Sequence, residues 1–170
     1  MIENKIIGSY TSINKIDFPL IELPNFFSKT DLYYIFGNNV LNDYFFDELE
    51  YDNWSKHFIF KLNTSNRLVG YLRVIHVKGV VEIHGGGLHN SFIEKLALSE
   101  AWFLIIDYCF LFYNVQSIFT SCMINNDKAY KFIIGSGFHE INRNIIENRI
   151  CFKLSINDFI VKKNKYLKKL

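Results

Sequence analysis

Two hydrophobic periods organise the chain, one of two residues and one of three to four, and from His57 onward they alternate clearly. "HFIFKL" (His57–Leu62) and "LVGYLRVIHV" (Leu68–Val77) are β-branched and aromatic runs separated by "NTSN", so they read as the arms of a hairpin. "KG" (Lys78, Gly79) turns the chain again into Val80–His84, a third antiparallel strand. Three glycines follow, Gly85 to Gly87, and then the period lengthens: from Phe92 to about Phe112, apolar residues recur at helical spacing. "VQSIFTSCMI" (Val115–Ile124) is a strand, and Asn126–Gly135 is a helix closed by Gly135 or Gly137. "FHEINRNI" and "NRICFKLSI" form a last hairpin that turns near Glu147 and Asn148.

The pattern is weaker before His57. Ile6–Ile13 and Leu20–Leu23 each suit a strand, with Pro19 and Pro24 limiting the second. "SKTDLYYIFGNN" suits a short helix with Ser28 as its cap and Gly37 as its stop, and Leu41–Ser55 suits a further helix. No repeat or low-complexity linker divides the chain, so residues 1–170 read as one domain. Hairpin meander, long helix, strand, short helix and hairpin make a mixed sheet with crossover helices. The order is not the alternation of a dinucleotide-binding fold, and GxGxxG is absent, which sets aside a nucleotide-dependent oxidoreductase.

Composition narrows the class. Apolar residues at 49% and aromatics at 17% of 170 residues fit a packed globule and exclude a disordered chain. A net charge of +2 is too small for a nucleic-acid partner, and the basic end, "VKKNKYLKKL", reads as a solvated tail over 159–170. Cys109, Cys122 and Cys151 are too scattered for a disulfide framework or a zinc site, and the spacing of His76, His84 and His89 matches no metal pattern. No apolar leader opens the chain, and Glu94, Lys95, Glu100 and Asp107 interrupt the most apolar stretch, Phe92–Tyr113. The expectation is a cytoplasmic protein that does not span a membrane. The aromatic stripe Trp102, Phe103, Tyr108, Phe110 and Phe112 is expected in the core.

Within "NNDKAYKFIIGSGF", Asn126 follows a strand, Ala129 stands three residues on, and Gly137–Phe138 stand eleven and twelve residues on. This arrangement resembles the GNAT N-acetyltransferase superfamily, whose motif is N-x-x-A/S, then leucine or tyrosine, then G-F. "LVGYLRV" resembles the family's third strand. "ALSEAWFLIIDYCF" resembles its long helix, written A-x-E-A with a trailing tyrosine or phenylalanine. The resemblance covers about Arg67–Asp158, and residues 28–62 suit the family's two-helix and second-strand region.

The resemblance implies a single α/β (α+β) domain. Its central sheet would be mixed, mostly antiparallel and twisted, with six to seven strands and about four flanking helices, and splayed between strands four and five. It also implies acetyl-CoA. The pantetheine arm would lie between the splayed strands, and the pyrophosphate at the next loop and helix start, where N–H groups and the helix dipole favour anionic oxygens. Carried over, Val81–His84 is strand four, with Ile83 and His84 beside the arm. Ser91, Lys95 and Leu96 lie where the pyrophosphate would sit, and Asn126 and Ala129 are on the second cofactor-contacting element. One departure stands out. The family's loop reads R/Q-x-x-G-x-G/A, whereas counting back from Glu100 puts Glu94 and Leu96 at the glycine positions, and the three glycines come earlier. Either the loop is re-routed, with Gly85–Gly87 lending flexibility, or cofactor affinity is impaired.

Acetyl transfer to an amine needs a neutral nucleophile, a donor for the thioester oxygen and a proton for the departing thiolate. Alternation sets Val81 and Ile83 on one strand face and Glu82 and His84 on the other, which makes Glu82 the first candidate base and His84 the second. The competing role for Glu82 is an ion pair with a lysine or arginine of a neighbouring strand. The tyrosine that many family members use as general acid falls at Ile133; Tyr130, on roughly the same helix side, is the substitute, or else it packs. His89 is in the loop and reads as solvated. The expected function is acetyl-CoA-dependent N-acetylation of a primary amine (amino sugar, small amine or protein N-terminus) by direct attack in a ternary complex. The alternative is a catalytically degenerate GNAT-like module that binds acyl-CoA or a protein. The partners expected are an amine acceptor and neither nucleic acid nor membrane, with a homodimer left open. The acceptor pocket would come from residues 28–56, with Tyr33, Tyr34, Phe45, Phe46 and Trp54.

Overall fold

A computed structural model describes residues 5–16, 54–87 and 90–167. In chain order the elements are β1 (Lys5–Ile7), β2 (Thr11–Lys15), β3 (Ser55–Leu62), β4 (Leu68–Val77), β5 (Val80–Gly87), α1 (Phe92–Tyr113), β6 (Ser117–Met123), α2 (Asp127–Gly135), β7 (His139–Asn144), β8 (Arg149–Ser155) and α3 (Ile156–Leu167). The strands follow the hydrogen-bonded order β1-β2-β3-β4-β5-β6-β8-β7. β5 and β6 run parallel, whereas β1–β2, β2–β3, β3–β4, β6–β8 and β7–β8 are antiparallel. The class is the mixed, mostly antiparallel α/β sheet expected, with eight strands among the described residues where six or seven were expected. The helices expected over 28–37 and 41–55 and the strand over 20–23 lie outside the described residues, except that Ser55 opens β3. His89 and the aromatics at 33, 34, 45 and 46 lie outside them too; Trp54 is exposed.

The chain forms two compact units, residues 1–75 with 85–104, and residues 76–84 with 105–170. In the first, Ile6–Ile13 is not one strand but a hairpin, because the chain folds around a carboxylate. Glu100 of α1 accepts the backbone N–H groups of Ser9 (2.7 Å), Tyr10 (2.7 Å) and Thr11 (2.8 Å), while Gly8 N–H donates to Thr11 O at 2.7 Å. A Cβ on Gly8 would collide with the same carboxylate. Glu100 is 5% exposed, so the acid of the A-x-E-A helix is a latch that holds the β1–β2 turn to α1. The glycine run, expected as a flexible loop beyond a strand ending at His84, is instead the last part of β5. Close packing demands it. A Cβ on Gly87 would lie 2.6 Å from the Phe60 ring and 2.9 Å from Val69 O, and one on Gly85 would lie 2.9 Å from Leu72 Cα. Gly85 also has a φ of +144°, which L side chains rarely adopt.

In the second unit, Lys78 (φ 49°) and Gly79 (φ 80°) make the two-residue turn expected between β4 and β5. Ile118 of β6 and Ile150, Phe152 and Leu154 of β8 are fully or almost fully buried and share one sheet face by register. A shift in the β7–β8 register between Glu140 and Asn142 inserts a residue, so Glu140 and Arg143 come to one face and form a two-point ion pair at 3.1 Å and 3.1 Å. The basic end is not a solvated tail. α3 is capped by Ser155, whose hydroxyl oxygen accepts Asp158 N–H at 3.1 Å. Phe159 is 2% exposed against the Phe110 ring (5.3 Å), and Lys163 Nζ reaches Asp107 at 2.7 Å.

By length and composition α1 could cross a membrane. It is apolar on all sides, as core helices are. Ala97, Ala101, Trp102, Ile105, Ile106, Cys109 and Phe110 are buried, and three of the charges that interrupt it, Glu94, Glu100 and Asp107, are hydrogen-bonded within the fold. Of the aromatic stripe, Trp102 and Phe110 are core, whereas Phe112 is 42% exposed. Asn114, with φ 51°, ends the helix in a left-handed turn.

Candidate active site

Within the second unit, the parallel ladder of β5 and β6 joins Val81 to Ile118 and Glu82 to Phe119 and goes no further in register. One residue on, a side chain takes over: the Thr120 hydroxyl donates to Ile83 O at 2.7 Å. A hydroxyl in place of a ladder bond spaces the backbones apart, and this is the splay implied between the family's strands four and five. Thr120 is 4% exposed, on the same face as Ile118. No motif marks it; its only signal in the sequence is a hydroxyl at an apolar-face position.

Val81 and Ile83 are fully buried, so alternation turns Glu82 and His84 to the opposite face. They meet there. His84 Nε2 lies 3.1 Å from Glu82 Oε2, with the side chains 27% and 46% exposed. One hydrogen-bond partner of Glu82 is thus a histidine on its own strand. A carboxylate fixed on one ring nitrogen sets the tautomer and orientation of the imidazole, while exposure leaves the pair within reach of an incoming group.

β6 leads directly into α2. Asn126 N–H donates to Met123 O (3.0 Å), and Asn126 Oδ1 accepts Ala129 N–H (3.0 Å), so the motif asparagine is the N-cap of α2. The motif alanine supplies the capped N–H. Tyr130 N–H donates to Asn126 O at 3.0 Å, and the Tyr130 ring packs edge-on to Phe152 at 5.6 Å. The hydrogen bond from Arg143 holds Glu140 below the usual carboxylate range, and Tyr130 adds to that. Burial pushes the Cys122 thiol up; the Glu140 charge adds to the rise, while Arg143 opposes it. Ile133 is 4% exposed, so the family's general-acid position is a core position here.

The candidates therefore form two groups linked through β6: Glu82, Ile83 and His84 on β5, and Asn126, Ala129 and Tyr130 at the start of α2. Ser91, Lys95 and Leu96 belong to the first unit, at the start of α1, where Lys95 N–H donates to Ser91 O at 3.2 Å. There Glu94 Oε2 accepts the N–H groups of Asn90 (2.9 Å) and Ser91 (3.1 Å), and Oε1 pairs with Arg67 Nη1 at 2.9 Å. Sequence reasoning did not anticipate Arg67, Glu140 or Arg143. The last two become neighbours only through the register shift in β7.

No protein-family model matches the chain, and no curated protein matches its sequence. Solved structures do match. A GCN5-related N-acetyltransferase from Brucella melitensis has a TM-score of 0.73 at 14% identity, with 96% of this chain and 84% of that one covered. Mutant forms of the spermidine/spermine N-acetyltransferase SpeG from Vibrio cholerae have a TM-score of 0.68 at 12% identity, covering 92% and 99%. A nucleotide-linked sugar GNAT, FdhC, has a TM-score of 0.68 at 14% identity, covering 96% of each chain. The chain has the fold of the GNAT acetyltransferases.

Proposed function

We propose that the protein is an N-acetyltransferase that moves an acetyl group from acetyl-CoA to a primary amine by direct attack in a ternary complex. The observation that carries this is the Glu82–His84 pair, half-exposed beside the point where β5 leaves β6. When bound, acetyl-CoA supplies an activated acyl thioester. The chain's own residues would do the rest. Glu82 accepts the proton that an amine arriving as ammonium must lose, and His84, bonded to it at 3.1 Å, keeps the carboxylate in place and is the second proton acceptor. Past Glu82 the inner edge of β5 is not joined in register to β6, which suits an extended amide-bearing arm. Tyr130 is the hydroxyl on the α2 start that could serve a departing thiolate. Among solved neighbours, SpeG is a spermidine/spermine N-acetyltransferase and FdhC a nucleotide-linked sugar GNAT, and both support a primary amine on a small molecule.

A non-catalytic acyl-CoA-binding module is the second reading, favoured by the burial of Ile133 at the acid position. The test is incubation of the full chain with acetyl-CoA and, separately, spermidine, an amino sugar and a short peptide with a free N-terminus, reading thiol release and acetylated product by mass. Product with one of them supports the enzyme. Calorimetric binding of acetyl-CoA without any product selects the module, and no binding refutes both.

A further inference from the structure

Among the described residues Glu94 is the most buried carboxylate, 3% exposed, although it lies in the first turn of a helix. The first N–H groups of a helix lack partners within it, and together with the dipole they form a ready anion site. Here an anion is already installed. One carboxylate oxygen takes two backbone N–H groups, Asn90 and Ser91, and the other takes the Arg67 guanidinium from the end of the β3–β4 turn. The Ser91 hydroxyl accepts Glu94 N–H in return, at 3.2 Å. The reciprocal Ser–Glu exchange is a capping box. The additional N–H of Asn90, the recruited arginine and the near-complete burial go beyond one, and they are the contacts a bound phosphate oxygen would make.

We infer that Glu94 is a built-in anion that closes the start of α1, and that it sets donor specificity. The diphosphate of a CoA thioester gains no hold at this helix end, so an acyl-pantetheine without the nucleotide serves nearly as well as acetyl-CoA. The donor half of this inference rests on the acetyltransferase reading; the closed helix end does not.

Two titrations separate the halves. In the first, inorganic pyrophosphate is titrated into the full chain while the amide resonances of Asn90 and Ser91 are followed by NMR. They stay put in the wild type and move in Glu94→Ala and, less, in Glu94→Gln, which keeps a neutral partner for the N–H groups should the alanine variant loosen the turn. In the second, calorimetry compares acetyl-pantetheine with acetyl-CoA. The wild type binds them within about tenfold of each other, and Glu94→Ala widens the preference for acetyl-CoA by about tenfold or more. Adding Arg67→Ala to that variant removes the gain, because the freed guanidinium is what receives the diphosphate. Wild-type amides that respond like those of the variants overturn the inference. So does a wild type that prefers acetyl-CoA by about a hundredfold with no change in Glu94→Ala. If neither donor binds any form while pyrophosphate still distinguishes wild type from Glu94→Ala, the acetyltransferase reading fails and the closed helix end stands.

Discussion

Helices α1 and α2 both begin with N–H groups satisfied by a side chain of their own turn, yet the two closures differ in kind. At α1 the cap is a charged, 3%-exposed carboxylate clamped by Arg67. At α2 it is a neutral, exposed asparagine amide holding one N–H at 3.0 Å. Displacing the first means pulling a buried charge away from two backbone N–H groups and a half-exposed guanidinium, whereas displacing the second costs about one ordinary hydrogen bond. One helix start is thus closed by a buried charge and the other by a single exposed hydrogen bond. Only the second follows the strand that parts from β5.

Substitutions along the two helices sharpen or break this contrast. The largest loss should come from Glu100→Ala, which strands three N–H groups of the β1–β2 turn. We expect about 3–5 kcal/mol by denaturant titration, since a buried group left without its charged partner costs that much. Glu94→Ala should follow at about 2–3 kcal/mol, with two N–H groups and Arg67 released. Asn126→Ala should cost about 1 kcal/mol, the usual value of an N-cap. If Asn126→Ala proved as damaging as Glu94→Ala, the difference between the two helix starts would be lost. The smallest effect concerns acid. The folded-state value of Glu140 is depressed by its bond to Arg143, so its contribution is present above the ordinary glutamate range and fades as pH falls through the lower folded value. Arg143→Ala should flatten that shallow acid slope in melting temperature, with the small loss appearing at neutral pH and vanishing in acid.

Much of the fold was legible from His57 onward because alternating strands, the Lys78–Gly79 turn and the Asn126–Gly135 helix are local signals. The splay came through resemblance, and its physical agent, Thr120, did not, because a hydroxyl on an apolar face carries no period of its own. Gly85–Gly87 misled. A glycine run suggests a phosphate loop, whereas here tertiary crowding by Phe60 and the β4 backbone demands residues without a Cβ. The C-terminal helix was hidden by its lysines, since its docking depends on Phe159 finding Phe110 far along the chain. Glu82 and His84 were visible as an alternating pair. Their bond depends on side-chain conformations that spacing alone does not determine.

The central claim is that Glu82 takes a proton from the acceptor amine, and the pH–rate profile of Glu82→Gln beside wild type tests it most directly. Glutamine keeps the shape and can still bond His84, but it cannot accept that proton. Turnover at neutral pH should fall by about 10²–10⁴-fold, the usual range for a lost general base, with melting temperature nearly unchanged because the side chain is half-exposed. Raising the pH should recover part of the loss, as more amine then arrives already neutral. A variant that turns over like wild type across the whole profile would contradict the account.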